Sequence, residues 1–225
     1  VANLKGRNLE LQFNDNSRFK GNLDMEGLPD IDQTYINLDI DELTTNKQEL
    51  EEIPIPPFDG KSFVVLPDNI AYLGQVTYKG DFTGFISDFV TYGTVTTAIG
   101  NVRADVSLKE DSKLNDYRYA GTVNLQQFDL GTFYQSQTLG PISCLINVEG
   151  SGLELKKVNA TFDGTIEELN VNDYAYHNIQ ASGNFQHRAF SGSIDIDDPN
   201  LVMNFEGTID FAQDQPLLDF DTRIQ

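Results

Sequence analysis

Strict alternation of apolar and polar residues runs through most of this sequence and limits the folds open to it. From Leu201 to Phe211 the odd positions are Leu, Met, Phe, Gly, Ile and Phe, and the even positions are Val, Asn, Glu, Thr and Asp. Successive side chains of a β-strand point to opposite faces, so the pattern predicts strands with one apolar and one solvated face. The same alternation over 190–196, followed by turn residues at 198–200, predicts a hairpin spanning 188–211.

A short motif, aromatic–x–Gly–polar–apolar, recurs along the chain. Its copies begin at Phe19, Tyr119, Phe162, Phe190 and Phe205, with looser, overlapping copies at Tyr78 and Phe82. The ring, the glycine and the aliphatic residue of each copy belong to the same strand face. Glycine on an apolar strand face marks tight curvature or the close approach of another group. The repeats therefore predict a strongly curled sheet of similar strands, and their irregular spacing argues against a propeller or a strict β-helix.

One segment departs from the alternation. Thr45 and Gln48 have the spacing of a capping box, which predicts one short helix near residues 45–52. The proline-rich segment 53–57 follows and is the one candidate linker. Because the strand pattern is the same on both sides of it, the sequence predicts a single all-β unit over 1–225, built as a long, curled, largely antiparallel sheet.

The charge balance excludes some partners. Thirty-five acidic residues against fifteen basic ones give a net charge of −20. A surface of this sign repels nucleic acid and anionic lipid headgroups, so nucleic-acid binding and electrostatic docking on a membrane are both excluded. Fifteen Phe and nine Tyr indicate a folded chain rather than a disordered one.

Residues that could carry chemistry are few. Cys144 is the only cysteine, which excludes a disulfide framework and a thiolate zinc site and predicts a small buried apolar side chain. The acidic turns 195–200 and 30–32 could offer oxygen ligands to calcium, but strand faces and turn positions account for them more simply. His177 and His187 lack a nucleophile motif, and no pair of acids suggests glycoside hydrolysis. The sequence therefore predicts no enzyme, no metal and no cofactor.

Nothing in the sequence resembles a targeting or membrane segment. No apolar stretch approaches the roughly 18 residues of a membrane span, and there is no signal peptide. The chain begins and ends in strand-like sequence, so we expect it to be a segment excised from a longer protein.

Several stretches resemble the TamB and AsmA-like family of large envelope proteins from bacteria with two membranes. They are residues 174–179, 183–185, 190–201 and 205–211, together with 66–70 leading to the motifs at Tyr78 and Phe82. The resemblance implies a periplasmic β-groove segment, a sheet curled into an open trough (a β-taco), whose parent protein is anchored in the inner membrane. It also implies that the trough conducts phospholipid, or another acyl-chain lipid, towards the outer membrane and supports outer-membrane assembly. A TamA-like outer-membrane barrel is an implied partner, through parts outside this segment.

The apolar strand positions give a set of residues expected to line such a groove. They are Leu23, Val123, Leu125, Phe162, Ile166, Ile179, Phe190, Ile194, Ile196, Met203, Phe205, Ile209 and Phe211. Two other functions stay open. A β-sandwich adhesin or glycan-binding module is disfavoured because the chain has no Trp and its aromatics lie in phase with the aliphatics. A purely structural periplasmic spacer with a closed interior would have the same strand pattern.

Overall fold

The chain forms one open antiparallel sheet of thirteen strands in the parts that the computed structural model describes, residues 2–52, 66–114, 116–152, 157–211 and 217–224. The strands are β1 (Ala2–Phe13), β2 (Ser17–Leu28), β3 (Tyr35–Thr45), β4 (Val76–Phe85), β5 (Asp88–Thr97), β6 (Gly100–Asp111), β7 (Asp116–Asp129), β8 (Leu139–Ser151), β9 (Asn159–Val171), β10 (Tyr174–Gln186), β11 (Ala189–Asp198), β12 (Leu201–Asp210) and β13 (Leu217–Ile224). The all-β, antiparallel prediction is confirmed.

The strand order in the sheet equals the order in the sequence. Each inner strand therefore pairs with the strand before it and the strand after it, and among the described residues the sheet does not close, so β1 and β13 are its two edges. The predicted hairpin over 188–211 is confirmed as β11 and β12, which pair from Ala189–Asp210 to Asp198–Leu201. In this meander each strand pairs only with its neighbours in the sequence, so the architecture is quasi-one-dimensional.

Tight turns set the register of the C-terminal strands. His187 and Arg188, between β10 and β11, have φ of 52° and 64°, and Asn172 and Asp173, between β9 and β10, have φ of 52° and 63°. Two successive residues at positive φ form the two-residue turn whose twist matches that of paired strands. Histidine and arginine are unusual at such positions, so the sequence alone gives little sign of the turn at His187.

Two short α-helices connect strands in the described part of the chain. The predicted helix is present as α1 (Lys47–Leu50), but its cap is Asn46, whose side chain accepts a hydrogen bond from the Glu49 N–H (3.0 Å). The proposed cap, Thr45, is instead the last residue of β3. A second helix, α2 (Leu130–Tyr134), was not predicted, and the fold has short 3-10 helices at Ile31–Gln33 and Asp68–Leu73. The proline-rich segment 53–57 lies outside the described residues.

The molecule exposes more surface than a compact protein of its size. Its accessible area is 14110 Å² for 25.1 kDa, whereas a compact monomer of this mass exposes roughly 10,300 Å². A single sheet explains the excess, because each strand packs mainly against its neighbours in the sheet. No helix among the described residues has the length and apolar character needed to cross a membrane.

Candidate functional site

One face of the sheet is largely apolar across its thirteen strands. Directly opposed residues of antiparallel strands point to the same face, so the pairing register traces rows across the sheet. The row through Leu23 continues through Leu38, Phe82, Thr91, Val106, Gly121, Val148, Phe162, Gly183, Gly192, Gly207 and Phe220. One polar residue, Thr91, interrupts it. We call this side of the sheet the apolar face.

The register brings twelve of the thirteen predicted groove residues onto this face. Leu23 and Phe162 share the row just described. Val123, Ile194 and Phe205 share the next row, Leu125, Ile166, Ile179, Ile196 and Met203 the row beyond it, and Phe190 and Ile209 a fourth. Phe211 follows the end of β12, with 39% of its surface exposed, and its N–H donates to the Arg188 carbonyl (2.9 Å). The prediction omitted Leu38 and Phe82 in the N-terminal half, although the same alternation marks them.

Four phenylalanine rings form a ladder across the C-terminal strands. The centroid distances are 5.9 Å from Phe162 to Phe190, 6.3 Å from Phe190 to Phe205 and 5.2 Å from Phe205 to Phe220. Aromatic rings attract one another at such separations. Phe190 and Phe205 are each 7% exposed, whereas Phe220, at the edge of the sheet, is 42% exposed. The ladder therefore gives the apolar face two buried inner rings and one accessible outer ring.

Three opposed glycines explain how the ladder packs so closely. Gly183, Gly192 and Gly207 face one another on β10, β11 and β12. A Cβ at Gly192 would lie 2.1 Å from the Ser182 carbonyl oxygen, and one at Gly183 would lie 2.8 Å from the ring of Phe190. In the aromatic–x–Gly motif each ring is therefore followed on the same face by a glycine. The space that a side chain would occupy at the glycine is filled by the ring or the backbone of the neighbouring strand.

Helices cover one end of the apolar face. Phe128, Ile142 and Cys144 form a small buried cluster there, against which Phe133 of α2 and Leu73 of the 3-10 helix 68–73 pack. Burial raises the pKa of the Cys144 thiol, which keeps it protonated and unreactive. The cysteine is therefore a small apolar side chain, as predicted.

The opposite side of the sheet, the polar face, carries acidic residues. One of its rows contains Asp39, Asp81, Asp105, Asp163, Glu206 and Asp221. Thr122 donates to Asn147 (2.8 Å), and Asn147 donates to Asp163 (3.2 Å), so part of this row forms a hydrogen-bonded chain. Among the described residues no three His, Cys, Asp or Glu side chains are placed to hold a metal ion.

Asp198 is a buried acid whose carboxylate accepts three hydrogen bonds. It was interpreted from the sequence as a turn residue, but it is only 2% exposed. Its carboxylate accepts hydrogen bonds from the Tyr174 hydroxyl (2.6 Å), the Asn200 N–H (2.9 Å) and the His177 N–H (3.0 Å). The Tyr174 hydrogen bond, with the other two, lowers the pKa of Asp198 to about 2. Asp198 therefore joins the β9–β10 turn region to the β11–β12 turn.

Replacing Asp198 by asparagine is expected to lower the melting temperature at pH 7 by about 10 °C, because an amide accepts fewer of these hydrogen bonds. The carboxylate has a folded-state pKa below its ordinary 3.8. Its stabilisation is therefore fully present above about pH 4 and is lost as the pH falls towards 2. Thermal denaturation from pH 7 to pH 2 should show the difference between wild type and variant shrinking in that window. Asp197→Asn, at the exposed neighbouring position, is the control, and equal melting temperatures for both variants would contradict the assignment.

Comparison of the chain with protein-family models, with curated proteins and with solved structures finds no match.

Proposed function

We propose that this chain binds lipid acyl chains along its apolar face, as a segment of an envelope-spanning protein of the TamB and AsmA-like type that conducts phospholipid from the inner to the outer membrane. The observation that carries the proposal is the largely apolar face of an open thirteen-strand sheet, whose row through Leu23 is interrupted only by Thr91. Twelve strand spacings of about 4.8 Å make this face about 58 Å long, measured across the strands.

The driving force for binding is the burial of methylene groups. Each buried CH₂ contributes about 0.8 kcal/mol, so an acyl chain of some fifteen methylenes gains on the order of 10 kcal/mol on a continuous apolar surface. This interaction requires no particular polar residue, and a lipid can slide along uniform rows. A conduit of this kind has no catalytic residues, which agrees with the prediction that the chain is not an enzyme.

The polar face supports an asymmetric arrangement of the lipid. With acidic rows on one side of the sheet, anionic headgroups are repelled from that side. Acyl chains then lie on the apolar face, while phosphates stay in water at its rim. In the proposed protein the sheet curls into a trough around the acyl chains and lies in the periplasm. The inner-membrane anchor and any contact with an assembly barrel belong to other parts of the parent protein.

Lipid carried through purification tests this function. We expect protein purified from bacterial cells without detergent to retain phospholipid, detected by native mass spectrometry and by solvent extraction followed by thin-layer chromatography. A spacer with a closed interior, or an adhesin, would purify without lipid and would not take up added phospholipid. That result would overturn the proposal.

A further inference from the structure

Four exposed apolar side chains lie together on the polar face of β3, β4 and β5. They are Tyr35, Phe85, Val90 and Tyr92, with 42%, 37%, 53% and 44% of their surfaces exposed. The Tyr35 and Phe85 rings contact each other, with centroids 5.5 Å apart, and Val90 and Tyr92 follow on the next strand. We call these four residues the aromatic patch. Its three rings lie out of phase with the aliphatic residues, unlike the aromatics of the apolar face.

Strand β5 carries two of these side chains because its alternation is inverted. Val90 and Tyr92 lie on the polar face, and Thr91 between them is the residue that interrupts the apolar row through Leu23. The Thr91 hydroxyl donates to the Asp81 carbonyl (2.8 Å), so this polar group is satisfied on the apolar side. Exposed apolar side chains bordered by polar residues are typical of surfaces that bind a partner.

Acidic side chains surround the ring of Tyr92. Asp81 and Asp105 lie directly opposite Tyr92 on the two neighbouring strands, and Asp39 lies directly opposite Asp81. None of these three carboxylates forms an ion pair with a described residue. Like charges directly opposite one another destabilise a sheet, so a cation from outside the chain would relieve the Asp39–Asp81 pair.

Two basic residues near the patch already have partners. The Arg103 guanidinium lies over the Tyr92 ring, 5.1 Å from its centroid, and Lys109 contacts Asp88. Lys79 lies in the next row, so the row of Tyr92, from β2 to β13, contains six acids and no base. The Arg103 contact shows that this ring attracts a cation to its face.

We propose that the aromatic patch and the acids beside it bind a basic, extended segment of a partner protein. Lysine or arginine side chains of the segment contact Asp39, Asp81 and Asp105, and its apolar side chains pack on Val90 and Tyr92. Three strand spacings of about 4.8 Å separate Asp39 from Asp105, so the acids span about 14 Å, the length of about five extended residues.

Charge selects this partner over others. The net charge of −20 repels an anionic partner and a second copy of this chain, and it attracts a basic one. The site lies on the face opposite the proposed lipid surface and therefore does not depend on lipid binding.

Peptide titration tests the chemistry of the partner. The probe is a fluorescein-labelled peptide of about nine residues in which lysine alternates with valine and phenylalanine, and its binding to the whole chain is followed by fluorescence anisotropy. We expect it to bind at least about tenfold more tightly than the same peptide with glutamate for lysine, because of charge. It should also bind about tenfold more tightly than a peptide alternating lysine and serine, because of the apolar contacts.

Two matched pairs of variants locate the site. Val90→Ser should weaken binding about fivefold, whereas Val202→Ser, at a position of the polar face of β12 that is 42% exposed, should leave it unchanged. Asp81→Asn should weaken binding about threefold, whereas Asp219→Asn on the polar face of β13 should leave it unchanged. If both controls weaken binding as much as their partners do, the attraction is non-specific and the proposal is overturned.

Cross-linking locates the peptide without any change to the protein. With benzophenone on the phenylalanine, adducts mapped by mass spectrometry should lie on β3 to β6, and adducts spread evenly over the sheet would contradict the site. A neutral oligomer of N-acetylglucosamine is titrated in parallel. Binding of this sugar, abolished by Val90→Ser and without binding of the basic peptide, would overturn the proposal in favour of a glycan site. Retention of phospholipid should be unchanged in Val90→Ser and Asp81→Asn, so failure here is distinct from failure of the lipid proposal.

Discussion

Replacing Gly192 by valine is expected to destabilise the sheet by about 3 kcal/mol or more, the largest effect we expect from any single change described. The first atom of the new side chain would lie 2.1 Å from the Ser182 carbonyl oxygen and 2.6 Å from the Gly183 Cα. Both are backbone atoms of the paired strand β10, so neither can move without disturbing the ladder of hydrogen bonds. Urea denaturation followed by far-ultraviolet circular dichroism measures the loss.

Ser193→Val is the matched control for Gly192→Val. Ser193 is the next residue of β11, and its side chain lies on the polar face opposite Ser182, with 3.1 Å between the hydroxyl oxygens. Valine there loses one exposed hydrogen bond and gains strand propensity, so we expect a change within about 1 kcal/mol. Equal stability of the two valine variants would contradict the close packing of backbone against Gly192.

Replacing Ile194 by aspartate is expected to reduce phospholipid affinity about tenfold while the protein stays folded. Ile194 lies on the apolar face between Ala181 and Phe205. On an open face the carboxylate reaches water, so the cost in stability is about 1–2 kcal/mol, whereas in a closed core an unpaired charge would unfold the chain. Ile209→Asp, in the row of Phe190, should act in the same way.

Asn184→Asp adds the same charge at an exposed position on the polar face of the neighbouring strand β10, opposite Ser191, and serves as the control for Ile194→Asp. We expect it to leave lipid affinity unchanged. Affinity is measured by titration with a fluorescent phospholipid, and stability by thermal denaturation of the same samples. Unfolding of both apolar-face variants would favour the closed spacer. If the variants fold and their lipid affinity is unchanged, Ile194 and Ile209 do not belong to the lipid-binding surface.

Alternation predicted the all-β fold and the faces of the C-terminal strands, and it could do so because the architecture is a meander. In a meander the strands that pair in the sheet are also consecutive in the sequence. A regular pattern along the chain therefore becomes a regular row across the sheet. The rows through Phe205 and Met203 follow directly from their positions in the alternation. Whether thirteen strands close into a barrel depends on register and tilt, which no sequence pattern specified.

Other features depend on contacts that alternation does not encode. Helix α2 has five residues, too few for a helical period, and its one local signal is the Asp129 cap, whose carboxylate accepts from the Thr132 N–H (3.0 Å). The burial of Asp198 depends on Tyr174 and His177, which are more than twenty residues away in the sequence. A bulge near the middle of β1 becomes visible only when β1 is paired with β2.

A tryptophan placed on each face would test most directly whether lipid occupies the apolar face. The chain contains no Trp, so each introduced residue is the only indole fluorophore. Phe220 on the apolar face and Val202 on the polar face are both 42% exposed, which makes Phe220→Trp and Val202→Trp a matched pair. Their fluorescence is compared before and after adding a phospholipid brominated on its acyl chain, a quencher that acts at contact distance. Our account predicts strong quenching at position 220 and little at position 202. Equal quenching at both positions, or quenching at neither, would contradict it.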